Sequence, residues 1–594
     1  MNLALSEKTL MQVDKPARYI GNEVGSIIKE KSKVAIRFAL CFPDLYEIGM
    51  SNLGIQILYG LLNSYDDVWC ERVFSPQHDL EQIMREQKIP LFSLESQESI
   101  SQFDFLGITI QYEMCYSNIL QILDLAGITL LAKDRREDEP LIIGGGPCCY
   151  NPEPLVDFFD LIYIGEGEVM LRELMDKYQA NRENGGSRED FLYEAAMLAG
   201  VYVPRFYEVE YHEDHTIAAR RLLRAGVPMQ VKKVACPDLT DTFYPTKPIV
   251  PFIQTTHDRG VLEIMRGCPR KCRFCQAGHV YGKKRERKAE DLVVIAEEIL
   301  KNTGYDEIGL SSLSSSDYSQ LKELTDALMD RLGQTRTNIS LPSLRIDSIS
   351  LDIMKKVQDV RKSSLTFAPE AGSQRLREVI GKGLTEETIL TGARAAFSSG
   401  WRRVKLYFML GLPTEQEEDI LAIGDLANKI TAEYYDTVPK SERLGKVEIG
   451  VSTSFFVPKP FTPLQWAGQA TVEEFREKAN LTRQGIASQL NQKSIKYSWH
   501  ETNESILEAA MARGDRRLGA VILWAYQNGA RFDAWGEHQN PAIWEAAFKA
   551  IFAENRLDIA FFATRERSPD EILPWDFIDC GVSKDYLLAQ RPNR

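Results

Sequence analysis

Residues 266–278 read RGCPRKCRFCQAG, and the three cysteines in this run decide how the rest of the chain is interpreted. Cys268, Cys272 and Cys275 follow the spacing C-x3-C-x2-C. A 4Fe–4S cluster has four irons, and cysteine thiolates are its usual protein ligands, so three thiolates this close together bind one cluster and leave one iron open. An open coordination position is typical of reactive rather than structural centres. We therefore predict a reactive 4Fe–4S cluster on these three cysteines.

Two other interpretations of the cysteine run stay open. The thiols can form a zinc site with His279 as a fourth ligand, or they can be reduced cysteines without a metal. A ferredoxin-type run would read C-x2-C-x2-C-x3-C, and that order is absent from the sequence. Structural zinc modules usually pair two C-x2-C units, and the chain has no second unit. The spacing favours the cluster over both alternatives.

Composition indicates an ordinary globular protein with several domains. The chain has 594 residues, of which 44% are hydrophobic and 26% are charged, and its net charge is −14 at pH 7. This length suggests about three or four domains, and the acidic balance argues against bulk nucleic-acid binding, although it leaves room for a local basic patch. No apolar run is long enough for a transmembrane helix, and residues 1–19 lack a signal pattern. We expect a cytoplasmic protein that does not contact membranes, with its 10 cysteines present as thiols or ligands.

The N-terminal region, residues 1–215, alternates short apolar runs with helical stretches. Continuous apolar strands that alternate with helices predict a parallel sheet covered on both faces, the doubly wound or Rossmann-like α/β architecture. The predicted strands are VAIRFALCFP, FDFLGITIQ, PLIIGGG and FDLIYIGEGE, and the predicted helices between them are SNLGIQILYGLLN and SNILQILDLAGI. A proline-rich linker is expected over residues 216–249.

The region from 250 to 465 resumes the alternation with six strand units. Successive β-α units without a switch point predict a partial (βα)6 TIM-like barrel, in which functional groups lie on loops at the carboxyl ends of the strands. The cysteine run directly follows the first strand. Residues 466–594 carry helical periodicity and are expected to form a mainly helical C-terminal domain. The six predicted strands are GVLEIMRG, EIGLSSL, NISLPSLRI, SSLTFAPE, RVKLYFMLGLP and VEIGVSTSFFVP.

Taken together with the six strand units in their order, the cysteine run resembles the signature of the radical S-adenosylmethionine (SAM) superfamily. Phe274, the aromatic residue just before the last cysteine, is part of the resemblance. The resemblance covers essentially the whole chain and implies that the open iron binds SAM. It further implies that the enzyme cleaves SAM reductively to a 5'-deoxyadenosyl radical, which abstracts hydrogen from the substrate.

The resemblance also implies which residues contact SAM. The loop at residues 311–318 stands where the superfamily has its amino-group motif, usually Gly-Gly-Glu, with serines and Asp317 in its place; a residue of this loop can instead cap a helix. Glu370 resembles the polar residue that binds the ribose or amino group, although it or Arg345 can instead form a salt bridge at the barrel rim. Gly411 belongs to a Gly-Leu-Pro loop that lets backbone approach a ligand closely. The implied SAM residues are Phe274, Ser314, Asp317, Arg345, Glu370, Gly411, Phe456 and Val457.

The N-terminal region is similar to cobalamin-binding domains that accompany radical SAM barrels. Its run DLYEIG matches the element D-x-H-x-x-G, with Tyr46 where a histidine would bind cobalt. Tyrosine is a weaker ligand near neutral pH, because its pKa is about 10. The glycine turn at 144–146 resembles the one that packs against the nucleotide tail of the corrin, and GEGE at 165–168 resembles the closing element; backbone packing alone can also explain the turn. The implied cobalamin residues are Asp44, Tyr46, Gly49, Gly144 and Gly145.

We therefore expect a 4Fe–4S radical SAM enzyme whose cofactors are the cluster, SAM and, as an open alternative, cobalamin. Cobalamin-dependent methyl transfer is one form of this function. The alternatives are a cobalamin-independent oxidation or cyclisation enzyme and a non-catalytic iron–sulfur sensor or assembly protein. The expected partners are an electron donor such as flavodoxin or ferredoxin and a substrate that is RNA, protein or a small molecule. Basic residues near the cysteines, including KKRERK at 283–288, fit an anionic cosubstrate, RNA phosphates or a solvated helix start.

Overall fold

The structure is a computed structural model that describes residues 3–332, 337–341, 365–443, 445–554 and 557–592. Within these ranges the chain forms a six-stranded N-terminal sheet, two parallel sheets of three and four strands, and a mostly helical C-terminal part. The α/β class, with a doubly wound N-terminal domain and a partial barrel, is confirmed.

The N-terminal sheet has the strand order β2-β1-β3-β4-β5-β6. Its first five strands are parallel, and β6 pairs antiparallel with β5. The order reverses between β1 and β3, and ligands of doubly wound sheets bind beyond the carboxyl ends of the strands at such a switch point. The strands are β1 (Ile36–Phe42), β2 (Val68–Phe74), β3 (Phe105–Thr109), β4 (Leu141–Gly145), β5 (Leu161–Tyr163) and β6 (Val201–Tyr202).

Helices alternate with these strands, as the apolar pattern predicts. The helix Leu53–Asn63 begins where the side chain of Asn52 accepts a hydrogen bond from the Ile55 N–H, which satisfies a donor that the first helical turn leaves free. A capping box on Ser187 starts the last helix of the domain in the same way. The helices are Glu7–Leu10, Tyr46–Met50, Leu53–Asn63, His78–Gln87, Tyr116–Leu125, Leu171–Glu183 and Arg188–Ala196.

Strand β2 was not predicted, because charged residues interrupt its apolar run. Arg72 is fully buried and forms ion pairs with Glu23 (2.7 Å) and Glu95 (2.7 Å). Glu71 of the same strand is also fully buried and pairs with Arg37 at 2.6 Å. Buried charges persist only when they are paired and hydrogen-bonded, and here each charge finds its partner on another part of the chain.

The region between the two halves of the molecule contains a hairpin rather than an irregular linker. Strands β7 (Tyr207–Tyr211) and β8 (Ile217–Leu222) pair antiparallel, and a short strand β9 (Val231–Lys232) follows.

The six barrel strands predicted from the sequence are all present, and all of their pairings are parallel. A three-stranded sheet has the order β10-β13-β14 and a four-stranded sheet the order β15-β16-β17-β18. Between β10 and β13 lies the small antiparallel pair β11–β12. The strands are β10 (Gly260–Glu263), β11 (Met265–Arg266), β12 (Arg285–Glu286), β13 (Glu307–Ser311), β14 (Asn338–Ser340), β15 (Leu365–Glu370), β16 (Arg403–Leu410), β17 (Glu448–Phe455) and β18 (Ile495–Trp499).

Strand β18 extends the four-stranded sheet beyond what the sequence analysis predicted. It pairs parallel with β17, and the helix Val472–Ala487 connects the two strands. Its sequence IKYSW lies in a stretch that reads as helical overall. The sheet therefore continues past residue 465.

The helices of this region pack their apolar stripes on one face of the sheets. In β16 the residues Val404, Leu406 and Phe408 are buried on that face, while Lys405 and Tyr407 between them are exposed. The helices are Gln276–Val280, Ala289–Thr303, Leu321–Leu332, Gln374–Val379, Glu386–Ser398, Glu417–Thr437 and Val472–Ala487.

The C-terminal part folds back onto the N-terminal domain and onto the start of the barrel. Trp535 Nε1 donates to Asp44 Oδ1 (2.9 Å), and a short strand β19 (Ile578–Asp579) pairs parallel with β9. Across the described ranges, no helix combines the length and the hydropathy that crossing a membrane would take. The helices here are Thr502–Arg513, Leu518–Gln527, Pro541–Phe552, Ile559–Phe562 and Lys584–Ala589.

Candidate active site

The cysteine loop follows strand β11 and runs from Gly267 to Cys275. Gly267 has a φ of +83°, and a Cβ atom there would lie 2.5 Å from the carbonyl oxygen of Lys283, so the loop can begin this close to its neighbour only with glycine. Cys268, Cys272 and Cys275 are partly exposed residues, whereas six of the other seven cysteines are buried. The three predicted ligands thus lie together on one partly exposed loop.

Hydrogen bonds between nearby residues hold the cysteine loop in shape. The N–H of Cys275 donates to the carbonyl of Cys272 (3.0 Å), and Cys275 then caps the helix Gln276–Val280. Burial raises the pKa of the Cys275 thiol, while the backbone N–H of Gly278 and the ammonium of Lys382 lower it. Groups that donate to sulfur or carry positive charge favour the thiolate, which is the form of cysteine that binds metals.

Two arginines of the loop attach it to the loops that follow β13 and β15. Arg270 Nε donates to Asp317 Oδ2 at 2.8 Å. The backbone N–H of Arg273 donates to the Ile380 carbonyl (2.9 Å), and its guanidinium donates to the Val379 carbonyl (2.7 Å). The cysteines are therefore held at the carboxyl ends of the barrel strands, where barrels of this type place functional groups.

The donor set fits an iron–sulfur cluster. In a 4Fe–4S cluster each thiolate binds its own iron, so the sulfurs stand around a cube rather than around one ion. In the described part of the chain, no three His, Cys, Asp or Glu side chains surround a common metal position. His279, the fourth ligand in the zinc alternative, is buried, with its ring centroid 6.2 Å from that of Tyr586.

An apolar cluster beside the cysteine loop brings several of the implied SAM residues together. Phe274 packs against a group that contains Phe456, Ala371 and Leu412. Ala371 follows Glu370 in sequence, and Leu412 follows Gly411. The loops after β15, β16 and β17 therefore meet the cysteine loop at one end of the barrel, as the order of the predicted motifs requires.

Glu370 stands at the end of β15 with a φ of +68°, at a register shift between β15 and β16. Its carboxylate pairs with Lys382 at 2.9 Å, and Lys382 lies 5.8 Å from the ring centroid of Phe274. Burial raises the pKa of Glu370, while Lys382 lowers it. The rim salt bridge considered for this residue is thus present, beside the cysteine loop.

Gly411 and Phe456 use their backbone groups inside the protein. Gly411 has a φ of +82°, a Cβ there would lie 2.6 Å from Phe475, and its N–H donates to Glu415 Oε2 (2.8 Å). The N–H of Phe456 donates to Leu410 O, and its carbonyl accepts from the Gln469 side chain (3.0 Å). Both backbone groups of Phe456 therefore form hydrogen bonds within the protein. Val457, the next residue, is partly buried.

The serine-rich loop after β13 contacts the cysteine loop directly. Ser314 is buried and its hydroxyl donates to Asp317 Oδ2 (2.7 Å), the carboxylate that also accepts from Arg270. The short 3-10 helix Ser315–Asp317 has no side-chain cap. Asp317 therefore supports the cysteine loop through Arg270. Arg345 lies outside the described residues.

A cavity of about 630 Å³ lies between the N-terminal sheet and the three-stranded sheet. On one side it meets Phe38 and Leu40 of β1 and the carboxyl ends of β3, β4 and β5, and on the other it meets Val261 and Glu263 of β10 and Gly309 of β13. Gly144 and Gly145 line it. A Cβ on Gly145 would meet nothing within 4 Å, whereas one on Gly144 would touch Phe159 at 3.1 Å. Glycine at 145 therefore leaves room in the cavity, whereas glycine at 144 serves packing.

The other implied cobalamin residues do not line this cavity. Tyr46 is 1% exposed, and its hydroxyl donates to Glu23 Oε1 (2.8 Å). Burial and the charge of Glu23 raise the pKa of Tyr46, so the phenol keeps its proton. Asp44 accepts from Trp535, and a Cβ on Gly49 would lie 2.3 Å from the Phe74 ring. These three positions serve packing, and the segment that follows them, Ser51 to Gly54, reaches the cavity instead.

Charged residues form the wall between this cavity and the cysteine loop. Arg266, two residues before the first cysteine, pairs with Glu263 (2.8 Å), Glu168 (2.5 Å) and Glu166 (3.1 Å). Glu166 also binds Arg285 at 2.6 Å. Burial acts to raise the pKa of Glu166, but the hydrogen bond from Arg285 and the charge of Arg266 lower it to about 2. We call Glu166, Glu168, Arg266 and Arg285 the clamp.

The basic run at 283–288 is largely used inside the protein. Arg285 belongs to the clamp, and Arg287 is buried and donates to the Leu239 carbonyl (2.8 Å). Lys284 pairs with Glu286 (2.9 Å). Internal ion pairs and hydrogen bonds, which the sequence analysis did not consider for this run, use most of its residues. The GEGE element at 165–168 is the sequence signal that could have indicated this internal pairing, because it supplies carboxylates for the arginines.

Two family models match the chain. The Radical SAM superfamily model covers residues 262–427, and the model for radical SAM proteins, N-terminal, covers residues 54–204. An uncharacterized protein of Methanocaldococcus jannaschii is 31% identical over 502 residues, which is 82% of this chain and 91% of that protein. The chain belongs to the radical SAM superfamily. It is therefore an enzyme that uses a 4Fe–4S cluster and SAM and that needs a reductant and a substrate.

Further relatives of this radical SAM enzyme are more distant. An uncharacterized methyltransferase of Pyrococcus horikoshii is 23% identical over 337 residues, 56% of this chain and 65% of that protein. Among solved structures, the radical SAM methyltransferase TsrM from Kitasatospora setae aligns with a TM-score of 0.46 and 14% identity, over 74% of this chain and 78% of that chain.

Proposed function

We propose that this radical SAM enzyme binds cobalamin in the cavity between its N-terminal sheet and its barrel and transfers a methyl group to its substrate. The observation that carries the proposal is the position of the cavity, which opens at the β1/β3 switch point and reaches the inner side of β10 and β13. A group bound there would lie next to the barrel interior, where the radical chemistry takes place. The printed name of the Pyrococcus horikoshii relative, a methyltransferase, supports the reaction type.

The walls of the cavity suit a large, flat ligand with polar substituents. Glycines supply much of the lining on the N-terminal side, and the open side of Gly145 leaves room for a close approach. Asn52, Thr109 and Gln111 add polar groups at the edge. Because Tyr46 is turned into the core, a corrin held here would receive no ligand from the D-x-Y-x-x-G element.

The residues of the barrel would hold the other two cofactors. We propose that Cys268, Cys272 and Cys275 would ligate the cluster and that SAM would be held by Phe274 and the residues implied with it: Ser314, Asp317, Arg345, Glu370, Gly411, Phe456 and Val457. When bound, these cofactors supply a carbon-centred radical and, with cobalamin, a transferable methyl group. The protein's share is to position them, to neutralise charge near Glu370 through Lys382 and to exclude water.

Several finer expectations from the sequence belong to this proposal. We propose domains at 1–215, 250–465 and 466–594 with a linker at 216–249, a flavodoxin or ferredoxin as reductant, and a cytoplasmic location. Ten free cysteines and an iron–sulfur cluster suit a reducing compartment.

The test of cobalamin binding uses the open side of Gly145. A Cβ at position 145 meets nothing within 4 Å and the residue lines the cavity, so we expect Gly145→Phe to fold, to keep its iron and to cleave SAM, but to lose cobalamin. Gly536→Phe is the matched control, because a Cβ at Gly536 also meets nothing within 4 Å and this residue does not line the cavity. Bound cobalamin is measured by its visible spectrum after anaerobic reconstitution.

Equal cobalamin content in the Gly145→Phe variant and in the wild type would refute binding in this cavity. A wild-type protein that makes 5'-deoxyadenosine but takes up no cobalamin would instead support cobalamin-independent oxidation or cyclisation. The placement of Tyr46 in the core is the observation that favours this second candidate.

A further inference from the structure

One face of the four-stranded sheet is open to solvent. On β16 the exposed residues Arg403, Lys405 and Tyr407 alternate with buried ones, and Tyr407 is 41% exposed. The buried residues of β15 to β18 pack on the outer helices, so the exposed residues face the barrel interior. We call this surface the inner face; it is formed mainly by Arg403, Lys405, Tyr407, Ser452, Lys496 and Ser498.

The register of the strands arranges these residues in rows across the sheet. Lys405 lies opposite Gly450, and Gly450 lies opposite Lys496, so two lysines share one row with a glycine between them. The next row toward the carboxyl ends places Tyr407 opposite Ser452 and Ser452 opposite Ser498. The face therefore carries a row of cations and, above it, a row of hydroxyl groups with one exposed aromatic ring.

The charges of the inner face are unbalanced, although the whole protein has a net charge of −14. Lys496 pairs with Glu448 at 2.9 Å. Glu448 also lies opposite Arg403 in the sheet, and Lys496 and Arg403 together lower the pKa of this carboxyl, whereas Lys405 forms no ion pair within the described ranges. Glu370, at the upper end of β15, is neutralised by Lys382. The face thus carries three cations, Arg403, Lys405 and Lys496, against the single carboxylate of Glu448, so an anion bound here would meet an excess of positive charge.

The inner face lies directly below the proposed SAM site and is larger than a small ligand needs. Strands rise about 3.3 Å per residue, so Tyr407 lies about 13 Å below Gly411 along β16. Neighbouring strands are about 4.8 Å apart, so four strands span about 14 Å across, and the stretch from Arg403 to Met409 spans about 20 Å along the strand. A surface of this extent suits several units of a polymer.

We propose that the inner face binds a single-stranded RNA segment, which is the substrate of this enzyme. Phosphates pair with Arg403 and Lys405, a base stacks on Tyr407, and ribose hydroxyls contact Ser452 and Ser498. Single-stranded nucleic acids are bound by this combination of cations that follow the backbone and aromatic rings that stack on bases. The proposal rests on the proposed function only in placing the substrate in the barrel interior.

The test measures binding and needs neither SAM cleavage nor cobalamin. The anaerobically purified full chain is titrated against a short fluorescein-labelled single-stranded RNA, and anisotropy is followed between about 50 and 200 mM salt. We expect the double variant Arg403→Glu, Lys405→Glu to weaken binding at least about tenfold at low salt and to reduce the slope of log K against log salt by about 1.4, since each single-strand phosphate contact contributes about 0.7.

Variants at Tyr407 and Arg476 test whether RNA binds at the inner face or through the charge of the protein as a whole. Tyr407→Ala is expected to weaken binding about tenfold, and Tyr407→Phe to retain it, because stacking uses the ring and not the hydroxyl. Arg476→Glu is the control, because Arg476 is an exposed arginine on the outer helix of the same sheet and faces away from the interior. We expect this variant to bind the RNA with the affinity of the wild type.

Three results would overturn the proposal: no RNA binding by the wild type at the lower salt concentration, equal losses in Arg476→Glu and the double variant, or equal competition by poly-glutamate and unlabelled RNA. RNA binding with the predicted losses supports it whether or not a methyl group is transferred. A protein that binds RNA but lacks cobalamin would contradict the proposed function alone.

Discussion

Glu166 joins the two halves of the molecule at a single carboxylate. It belongs to the GEGE turn of the N-terminal domain, yet both of its arginine partners flank the cysteine loop in sequence, Arg266 before it and Arg285 after it. The sequence analysis recognised the turn and the arginines separately. It could not pair them, because ion pairs between distant segments leave no local pattern.

Replacing Glu166 by glutamine should loosen the cysteine loop. The variant leaves Arg285 without a carboxylate and Arg266 with only Glu168 and Glu263, and breaking such a partly buried pair costs about 3 kcal/mol. We expect a changed electron paramagnetic resonance signal of the reduced cluster with SAM and at least about tenfold slower SAM cleavage, a loss of about 1.4 kcal/mol in transition-state stabilisation.

The matched control for this variant is Glu189→Gln. Glu189 also stands between two arginines, Arg205 (3.1 Å) and Arg224 (3.5 Å), but it is exposed and does not contact the clamp. The control should keep the wild-type signal and rate. An unchanged signal in Glu166→Gln would show that the clamp does not position the cluster.

Glu153 gives a prediction for the dependence of stability on pH. It is fully buried and pairs with Arg220 (2.8 Å) and Arg516 (2.9 Å), and although burial acts to raise its pKa, the two arginines lower it to about 2. A depressed carboxyl pKa stabilises the fold fully above the unfolded-state pKa and loses this contribution as pH falls through the folded value. The contribution is about 3 kcal/mol and disappears between about pH 5 and pH 2.

The thermal midpoint of the apo-protein, followed by circular dichroism between these pH values, checks this sign. The wild type should lose more stability on acidification than Glu153→Gln, which lacks the titrating group. Parallel pH profiles for the two proteins would contradict the assignment.

At the scale of elements, continuous or alternating apolar residues predicted strands reliably, whereas charged residues inside a strand concealed it. The six barrel strands show continuous or alternating apolar residues, and all six are present. Strand β2 was missed because Glu71 and Arg72 interrupt its pattern, although both are buried in ion pairs. Strand β18 was missed because only Ile495 is buried among residues that read as helical. Tertiary partners, which a local pattern does not contain, decided both cases.

The loop after β16 should depend on glycine at position 411. A side chain there would carry the strain of a positive φ and would meet Phe475 at 2.6 Å. We expect Gly411→Ala to destabilise the protein by about 1–3 kcal/mol and to weaken SAM binding. Urea unfolding and isothermal titration with SAM measure the two effects.

The control for this variant is Gly450→Ala on the neighbouring strand. Gly450 does not have a positive φ, and the nearest atom to a Cβ there is 3.8 Å away. This variant should be close to wild type in stability. Adding Phe475→Leu to Gly411→Ala should restore only part of the loss, because it relieves the contact and leaves the backbone strain.

At the scale of the whole molecule, the C-terminal part covers the cysteine loop. Tyr586 lies 5.2 Å from the ammonium of Lys271 and 6.2 Å from His279, and β19 holds this segment in place by pairing with β9. The sequence predicted helices here but gave no sign that they return to the start of the barrel. Such long-range docking is set by surface complementarity, which periodicity does not encode.

Removing this cover should expose the cluster. We expect a chain that ends at residue 576, and to a smaller degree Tyr586→Ala, to release iron to a chelator faster than the wild type. The rate is followed anaerobically by the absorbance of the iron–chelator complex. Tyr586→Ala keeps β19, so it tests the cover even where the shortened chain folds poorly; equal release rates in that variant and the wild type would contradict a shielding role.

The pairing of β19 with β9 also sets an order of events during synthesis. The cysteine loop leaves the ribosome long before the residues that close over it, and at about 5–20 residues per second the interval lasts on the order of tens of seconds. During that time the C-terminal part does not yet cover the three thiols. Iron–sulfur delivery can therefore take place on the nascent chain, and the segment from β19 to Tyr586, which is translated later than the cysteines, then covers the inserted cluster.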